Sequence, residues 1–147
     1  MADLPGVVVP LLTPLTDNDM VDESSLRLLV NYVIGRGAEG LFALSTTGEF
    51  VGLRDQEKVK LVEVVLDANQ DRLPVWVGIG DTSTSRVLDN LSRLSLPGVS
   101  GFVVTTPFYY TNLSQSELFD HFQTIADASE LPVLLYNVPQ NTHVHLE

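Results

Sequence analysis

The sequence predicts an α/β fold of four successive βα units followed by a fifth strand. Two observations carry that prediction. Apolar runs begin near residues 7, 40, 75, 101 and 133, about 26 to 35 residues apart, the length of one βα unit. The segments between them repeat their apolar residues at helical period.

Taken in order, the strands are Val7–Leu12, Gly40–Leu44, Val75–Ile79, Gly101–Val104 and Val133–Tyr136. Each is β-branched or apolar on consecutive residues, as strands buried on both faces should be. The first helix, Asp22–Gly35, is expected to be capped by Ser24, to bury Leu26, Leu29, Val30 and Val33, and to end at Gly35 and Gly37. The second, Arg54–Ala68, carries Val59, Val62, Val65 and Leu66 on one side, with Glu57, Lys58, Lys60 and Glu63 expected in water. The third spans Thr84–Leu94 and is broken by Leu96-Pro97-Gly98. In the fourth, Ser114–Ala128, Ser114 and Glu117 have capping-box spacing, and Leu118, Phe119, Phe122 and Ile125 follow at helical period. Two architectures accommodate this order: a doubly wound open sheet and part of an eight-stranded βα barrel. No Gly-x-Gly-x-x-Gly follows the first strand, which weakens a dinucleotide-binding reading.

Residues 1–147 suffice for one domain with a real core. With 8 Lys and Arg against 19 Asp and Glu, the formal charge is -11. That sign repels phosphate backbones and anionic lipid, so neither nucleic acid nor membrane is an expected partner. The absence of cysteine excludes disulfides and thiolate metal sites. Met1-Ala2-Asp3-Leu4 lacks the basic start of a secretory leader, and the expected location is cytoplasmic.

In both architectures ligands gather beyond the C-terminal ends of the strands. There this chain places Thr13-Pro14, Ser45-Thr46-Thr47-Gly48-Glu49, Gly80-Asp81-Thr82, Thr105-Thr106-Pro107-Phe108-Tyr109-Tyr110 and Tyr136-Asn137-Val138-Pro139. Such clustering points to one small-molecule site. Two hydroxyls and the N–H groups beside a glycine suit a carboxylate; alternatively Thr47 or Glu49 simply caps a following turn. Tyr136 could move a proton with help from a neighbouring hydroxyl, Thr46 being the natural relay, since a free phenol titrates near 10. The competing reading is a strand-end core tyrosine, with Asn137 and Pro139 forming a turn. His121 fits a packing position on the fourth helix, Trp76 fits the core, and His143 with His145 makes no metal site without a third ligand.

Five motifs in this order carry a family resemblance from about Gly6 to Thr142. They are Val9-x4-Pro14, Thr46-Thr47-Gly48-Glu49, Thr106-Pro107-Phe108-Tyr109-Tyr110, Ser114-x3-Leu118-x2-His121-Phe122 and Leu131-Pro132-x4-Asn137-x-Pro139. The chain resembles the N-terminal part of the dihydrodipicolinate synthase / N-acetylneuraminate lyase family, the Schiff-base aldolases that fold as TIM barrels. The resemblance implies a single partial barrel domain over 1–147, with strands 1 to 5, and a lyase or synthase acting on pyruvate or a related 2-oxo acid. It implies no metal and no cofactor, because a lysine of the protein forms the Schiff base. By matching position, Tyr136 would transfer the proton, Thr46 would relay it and Tyr110 would complete the relay from a neighbouring subunit. Thr47, with the backbone at Gly48 and Glu49, would hold the substrate carboxylate.

Three departures stand out. Ser45 replaces the family's usual glycine. Asn141 stands where the dihydrodipicolinate synthases carry an arginine for a substrate carboxylate, and the Phe108-Tyr109-Tyr110 form is nearer to the sugar-acid lyases and 2-oxo-3-deoxy acid aldolases. The Schiff-base lysine belongs to strand 6, whereas the two lysines here, Lys58 and Lys60, lie on the second helix among carboxylates, which favour the charged amine over the nucleophile.

The expectation is a chain carrying the proton-handling half of a site, inactive alone. Two alternatives are a catalytically inactive interaction module and a carboxylate-binding module. Five strands leave two unpaired edges, so the chain is expected to pair with a second copy or with a chain supplying strands 6 to 8. Size-exclusion chromatography with light scattering at micromolar concentration should return a mass above 16.1 kDa; a compact monomer would refute the pairing.

Overall fold

A computed structural model describes residues 6–147; the start of the chain, read above as lacking a leader, lies outside them. The elements in order are β1 (Val8–Pro10), α1 (Glu23–Gly35), β2 (Gly40–Ala43), a 3-10 turn (Phe50–Gly52), α2 (Asp55–Asn69), β3 (Val75–Gly78), α3 (Thr84–Leu94), β4 (Val99–Thr105), α4 (Gln115–Ala128), β5 (Val133–Tyr136) and α5 (Pro139–Thr142). The sheet order is β1-β2-β3-β4-β5, and the pairs β1–β2, β2–β3 and β4–β5 are parallel. A doubly wound sheet reverses its order at a switch point. The sequential order is instead that of the first five strands of a βα barrel.

The chain forms two compact units, Met1–Gly78 with Leu96–Ser100, and Ile79–Ser95 with Gly101–Glu147. In the first, β2 sits between β1 and β3, with Val8 opposite Gly40 and Leu41 opposite Val75. All four residues of β3 are buried, as the unbroken apolar run requires, but β1 is only half-buried. The β1 result departs from expectation, and β5 behaves alike, with Leu135 56% exposed. Each is terminal in the strand order and has one neighbour instead of two.

Helix α1 buries Leu26 and Val30 completely. Its cap is Asp22 rather than Ser24: the Asp22 carboxylate accepts the Ser25 N–H at 3.1 Å and the Ser24 and Ser25 hydroxyls at 2.7 and 2.6 Å. The Ser25 hydroxyl foremost, with these other donors, lowers its pKa to about 2. Helix α2 buries a different set from the expected stripe: of Val59, Val62, Val65 and Leu66 only Val62 and Val65 are buried, Val59 and Leu66 are half-buried, and Lys58, Leu61, Val64, Ala68 and Asn69 join the buried set. Lys58 is therefore not a solvated lysine. Positions 58, 61, 62, 65 and 69 share one helix face, and its amine ends 3.5 Å from the Asp55 carboxylate. Lys60 does lie in water, 2.8 Å from Glu23, whose hydrogen bond raises its pKa. Arg27 pairs with Glu23 at 4.0 Å and with Asp67; exposed pairs of this kind contribute little.

At the C-terminal ends of these strands the backbone is tightly constrained. Leu44, just past β2, is buried with φ 57°, and a β-carbon on Gly78 would overlap its carbonyl oxygen.

In the second unit β4 pairs with β5 from Phe102 opposite Val133 to Thr105 opposite Tyr136. The strand runs beyond the expected Gly101–Val104 at both ends. Helix α3 starts at a Ser83 cap, and the α4 capping box forms between Ser114 and Glu117 as its spacing implies. His121, 5% exposed, is a packing residue: its Nδ1 meets the Thr84 hydroxyl at 2.8 Å, and burial lowers its pKa. Asp81 is buried where the chain leaves Gly80 for α3. It accepts from Arg86 Nε at 2.7 Å, the Thr82 N–H at 2.7 Å and Asn90 Nδ2 at 3.2 Å. Burial alone would raise its pKa; the Arg86, Thr82 and Asn90 bonds outweigh that and hold the carboxyl below its ordinary value.

Two consequences can be measured by urea unfolding. Gly78→Ala should lower stability by about 2 to 3 kcal/mol through overpacking. Gly52→Ala is the control: it has open space around the new β-carbon and should change stability by less than about 1 kcal/mol. For Asp81, the depressed pKa means that its contribution is full above about 4 and fades as pH falls through the lowered native value. Asp81→Asn should therefore cost about 1 to 2 kcal/mol at pH 7, and the gap to the parent chain should narrow toward pH 2; a constant gap would show that the charge is not what matters.

Candidate functional site

The candidate residues sit just past the strand ends, as parallel pairing dictates. In the first unit the loops after β1 and β2 are joined: the Thr13 hydroxyl donates to the Gly48 carbonyl at 2.7 Å. The loop after β2 closes on itself. The Gly48 N–H donates to the Ser45 carbonyl at 3.0 Å and to its hydroxyl at 3.2 Å, and the Glu49 N–H donates to the Thr46 carbonyl at 3.1 Å. Ser45 thus contributes a buried hydroxyl that holds the turn.

This geometry revises the expected roles within the loop. The N–H groups of Gly48 and Glu49, expected to face a carboxylate, donate inside the turn instead. Gly48 is needed for space, because a β-carbon there would lie 2.8 Å from the Leu11 carbonyl oxygen. The capping alternative also fails: the 3-10 turn and α2 both begin without a side-chain cap. Thr46 is half-buried and Thr47 exposed. Among the described residues, neither their hydroxyls nor their N–H groups enter a hydrogen bond. The result is two adjacent residues with up to four donors pointed at no protein acceptor.

In the second unit Tyr136 ends β5, half-buried and in register with Thr105 of β4. The Thr105 hydroxyl is buried and has no hydrogen-bond partner among the described residues. Its neighbour Thr106 is completely buried and donates to the Thr142 hydroxyl at 2.9 Å. Tyr110 is 74% exposed and Tyr109 81%, their rings edge to face at 4.9 Å. Tyr109 has φ 81°, a region that a bulky residue rarely enters. Beyond Tyr136, the Asn137 side chain bonds both the N–H and the carbonyl of Leu146 at 3.4 Å. Asn141 is exposed on α5.

The structure therefore gathers Thr46, Thr47 and Gly48 into one turn of the first unit, and places Tyr136 and Tyr110 in the second. Sequence reasoning missed three features. Tyr109 has strained backbone, which no residue pattern announces because tyrosine does not favour that conformation. Thr106 and Thr142 pair, although they are 36 residues apart. The Asp81 cage is legible only in part, through an acid placed before a helix start. Among the described residues no group of three or more His, Asp or Glu could hold a metal, and no helix is long and apolar enough to cross a membrane.

The Dihydrodipicolinate synthetase family model matches residues 3–147. The 4-hydroxy-tetrahydrodipicolinate synthase of Flavobacterium psychrophilum is 39% identical over 93% of this chain and 46% of its own length. A dihydrodipicolinate synthase from Bacillus anthracis superposes with a TM-score of 0.94 at 33% identity, over 100% of this chain and 50% of that one. The chloride-inhibited dihydrodipicolinate synthase from Acinetobacter baumannii, solved in complex with pyruvate, gives 0.94 at 32% identity, over 99% and 50%. The chain thus spans about half the length of the relatives that it matches. With the family model covering nearly every residue and the strand order agreeing, the chain belongs to the dihydrodipicolinate synthetase family.

Proposed function

We propose that this chain provides the carboxylate-binding and proton-handling half of a lysine Schiff-base lyase or synthase acting on pyruvate or a related 2-oxo acid. The unengaged donors of Thr46 and Thr47 carry the reading: hydrogen-bond donors without internal acceptors, on a turn held rigid by Ser45, Gly48 and Thr13, suit a small carboxylate. The pyruvate complex of the Acinetobacter baumannii relative supports that choice of acid. In such chemistry a lysine amine condenses with the keto carbon and expels water, and the adjacent C–H becomes acidic. Tyr136 is the proposed proton carrier and Thr46 its relay. Tyr110, exposed on the surface, is the tyrosine offered to a neighbouring copy; the strained Tyr109 is a second candidate for that part.

The amine is proposed to come from a region beyond these residues, because neither lysine here is a free nucleophile. Lys58 is buried against Asp55, and Lys60 is paired with Glu23. The same observation favours, for the isolated chain, the second reading of a carboxylate-binding or interaction module without turnover. The names of the relatives favour the synthase branch, whereas Asn141 removes the cation expected for that branch's second carboxylate. The pyruvate half of the chemistry is common to both. A homo-oligomer or a complementing chain with strands 6 to 8 fits the half-exposed β1 and β5. A cytoplasmic location fits the acidic, cysteine-free composition.

Borohydride reduction in the presence of pyruvate should leave the isolated chain without a covalent adduct; an adduct on Lys58 or Lys60 would overturn the assignment of the amine. In a pyruvate titration followed by amide NMR, Thr46 and Thr47 should shift first. Thr47→Val should weaken binding by about tenfold, the loss of one hydrogen bond to a charged group; no response at millimolar pyruvate would refute the carboxylate site.

A further inference from the structure

The segment after β5 is held at two points. Tyr136 is fixed on one side by its register with Thr105. Six residues later, Thr142 is fixed to the end of β4 through Thr106. Both residues are almost inaccessible, at 0% exposure for Thr106 and 4% for Thr142. Their hydrogen bonds form a consistent set. The Thr106 hydroxyl donates to Thr142 Oγ1 at 2.9 Å, and the Val144 N–H donates to the same oxygen at 3.4 Å. The Thr142 hydroxyl then has two acceptors within reach, the carbonyls of Val144 at 3.2 Å and Val138 at 3.3 Å. The four-residue α5 is far too short to be stable by itself. Val138 and Val144 are buried on either side of it, but apolar contact is non-directional and does not fix an angle. A buried hydroxyl network does, because each misplaced member leaves a polar group unpaired.

We infer that Thr106 and Thr142 are positioning residues for the strand-5 tyrosine: their hydroxyl pair anchors α5 to the end of β4 and thereby sets where Tyr136 and the exposed Asn141 stand. The inference rests on the proposed role of Tyr136 for its functional meaning, though not for its test. The pair explains why two hydroxyl residues occupy buried positions of this unit. It also makes the placement of Asn141 depend on a residue of another strand.

The test uses the full chain labelled at tyrosine Cζ and at backbone nitrogen, with the Tyr136 signal identified by its loss in Tyr136→Phe. In Thr142→Val and in Thr106→Val, the Tyr136 signal should shift or double, and amide exchange at Thr142 and Val144 should accelerate by about tenfold or more. Thr142→Ser and Thr106→Ser keep the hydroxyl and should stay close to the parent chain, with Tyr32 of the first unit unmoved throughout. The double valine variant should be perturbed no more than the worse single one. An unchanged Tyr136 signal in either valine variant would overturn the inference, whatever the exchange does, as would serine variants perturbed as strongly as the valine ones. Where a valine variant does not fold, the serine variant and Thr→Ala at the same position give the same comparison. These readouts follow the conformation of Tyr136 rather than turnover, so they stand apart from whether Tyr136 carries a proton.

Discussion

Parallel strand pairing is the constraint on which the rest depends. Two parallel neighbours must be joined by a crossover, and the crossover here is a helix each time. Within each unit, paired strands therefore end on the same side, β1 with β2 and β3 in the first and β4 with β5 in the second, and the loops that follow them fall there too. In the first unit this brings Thr13 onto the Ser45–Phe50 turn; in the second it sets Thr105, at the end of β4, opposite Tyr136. The polar residues of this protein are not gathered by any affinity for one another. They are gathered because the hydrogen-bonding pattern of the strands leaves the loops no other place to be.

Much of the architecture was legible for that reason. Unbroken apolar runs marked β3 and β5, and the Ser114–Glu117 spacing marked the start of α4. What was not legible has identifiable causes. Asp22 caps α1 instead of Ser24 because a carboxylate can accept from three donors at once, whereas a hydroxyl cannot. Lys58 was misplaced by its chemistry: its spacing to Leu61, Val62 and Val65 put it on the buried face, but a charge reads as solvated until its neighbour Asp55 is seen. The half-exposure of β1 and β5 follows from their positions at the ends of the strand order, which an apolar run does not report. The 3-10 turn and α5 are too short to impose a period.

The candidate residues were legible as types but not as roles. Thr46-Thr47-Gly48-Glu49 advertises donors, yet only the turn geometry shows which remain available. The glycine and glutamate N–H groups close the loop and the two threonines are left open. The buried threonine pair between β4 and α5 could not be found by any local rule, since its members meet only after the strands have paired. Asp81 shows the same principle in a charged form: its cage draws on Arg86 and Asn90, which reach it only because α3 begins where it does.

One feature reaches beyond this single chain. Leu44 adopts a left-handed backbone with a branched, buried side chain, and its carbonyl then fills the space above Gly78. The two positions are thus bound in an asymmetric evolutionary contract. Residue 78 has no freedom while residue 44 keeps its conformation, but a change that returned residue 44 to an ordinary strand geometry would open residue 78 to any small side chain. Drift at this pair should accordingly run in one order, with the turn relaxing first and the glycine diversifying only afterwards.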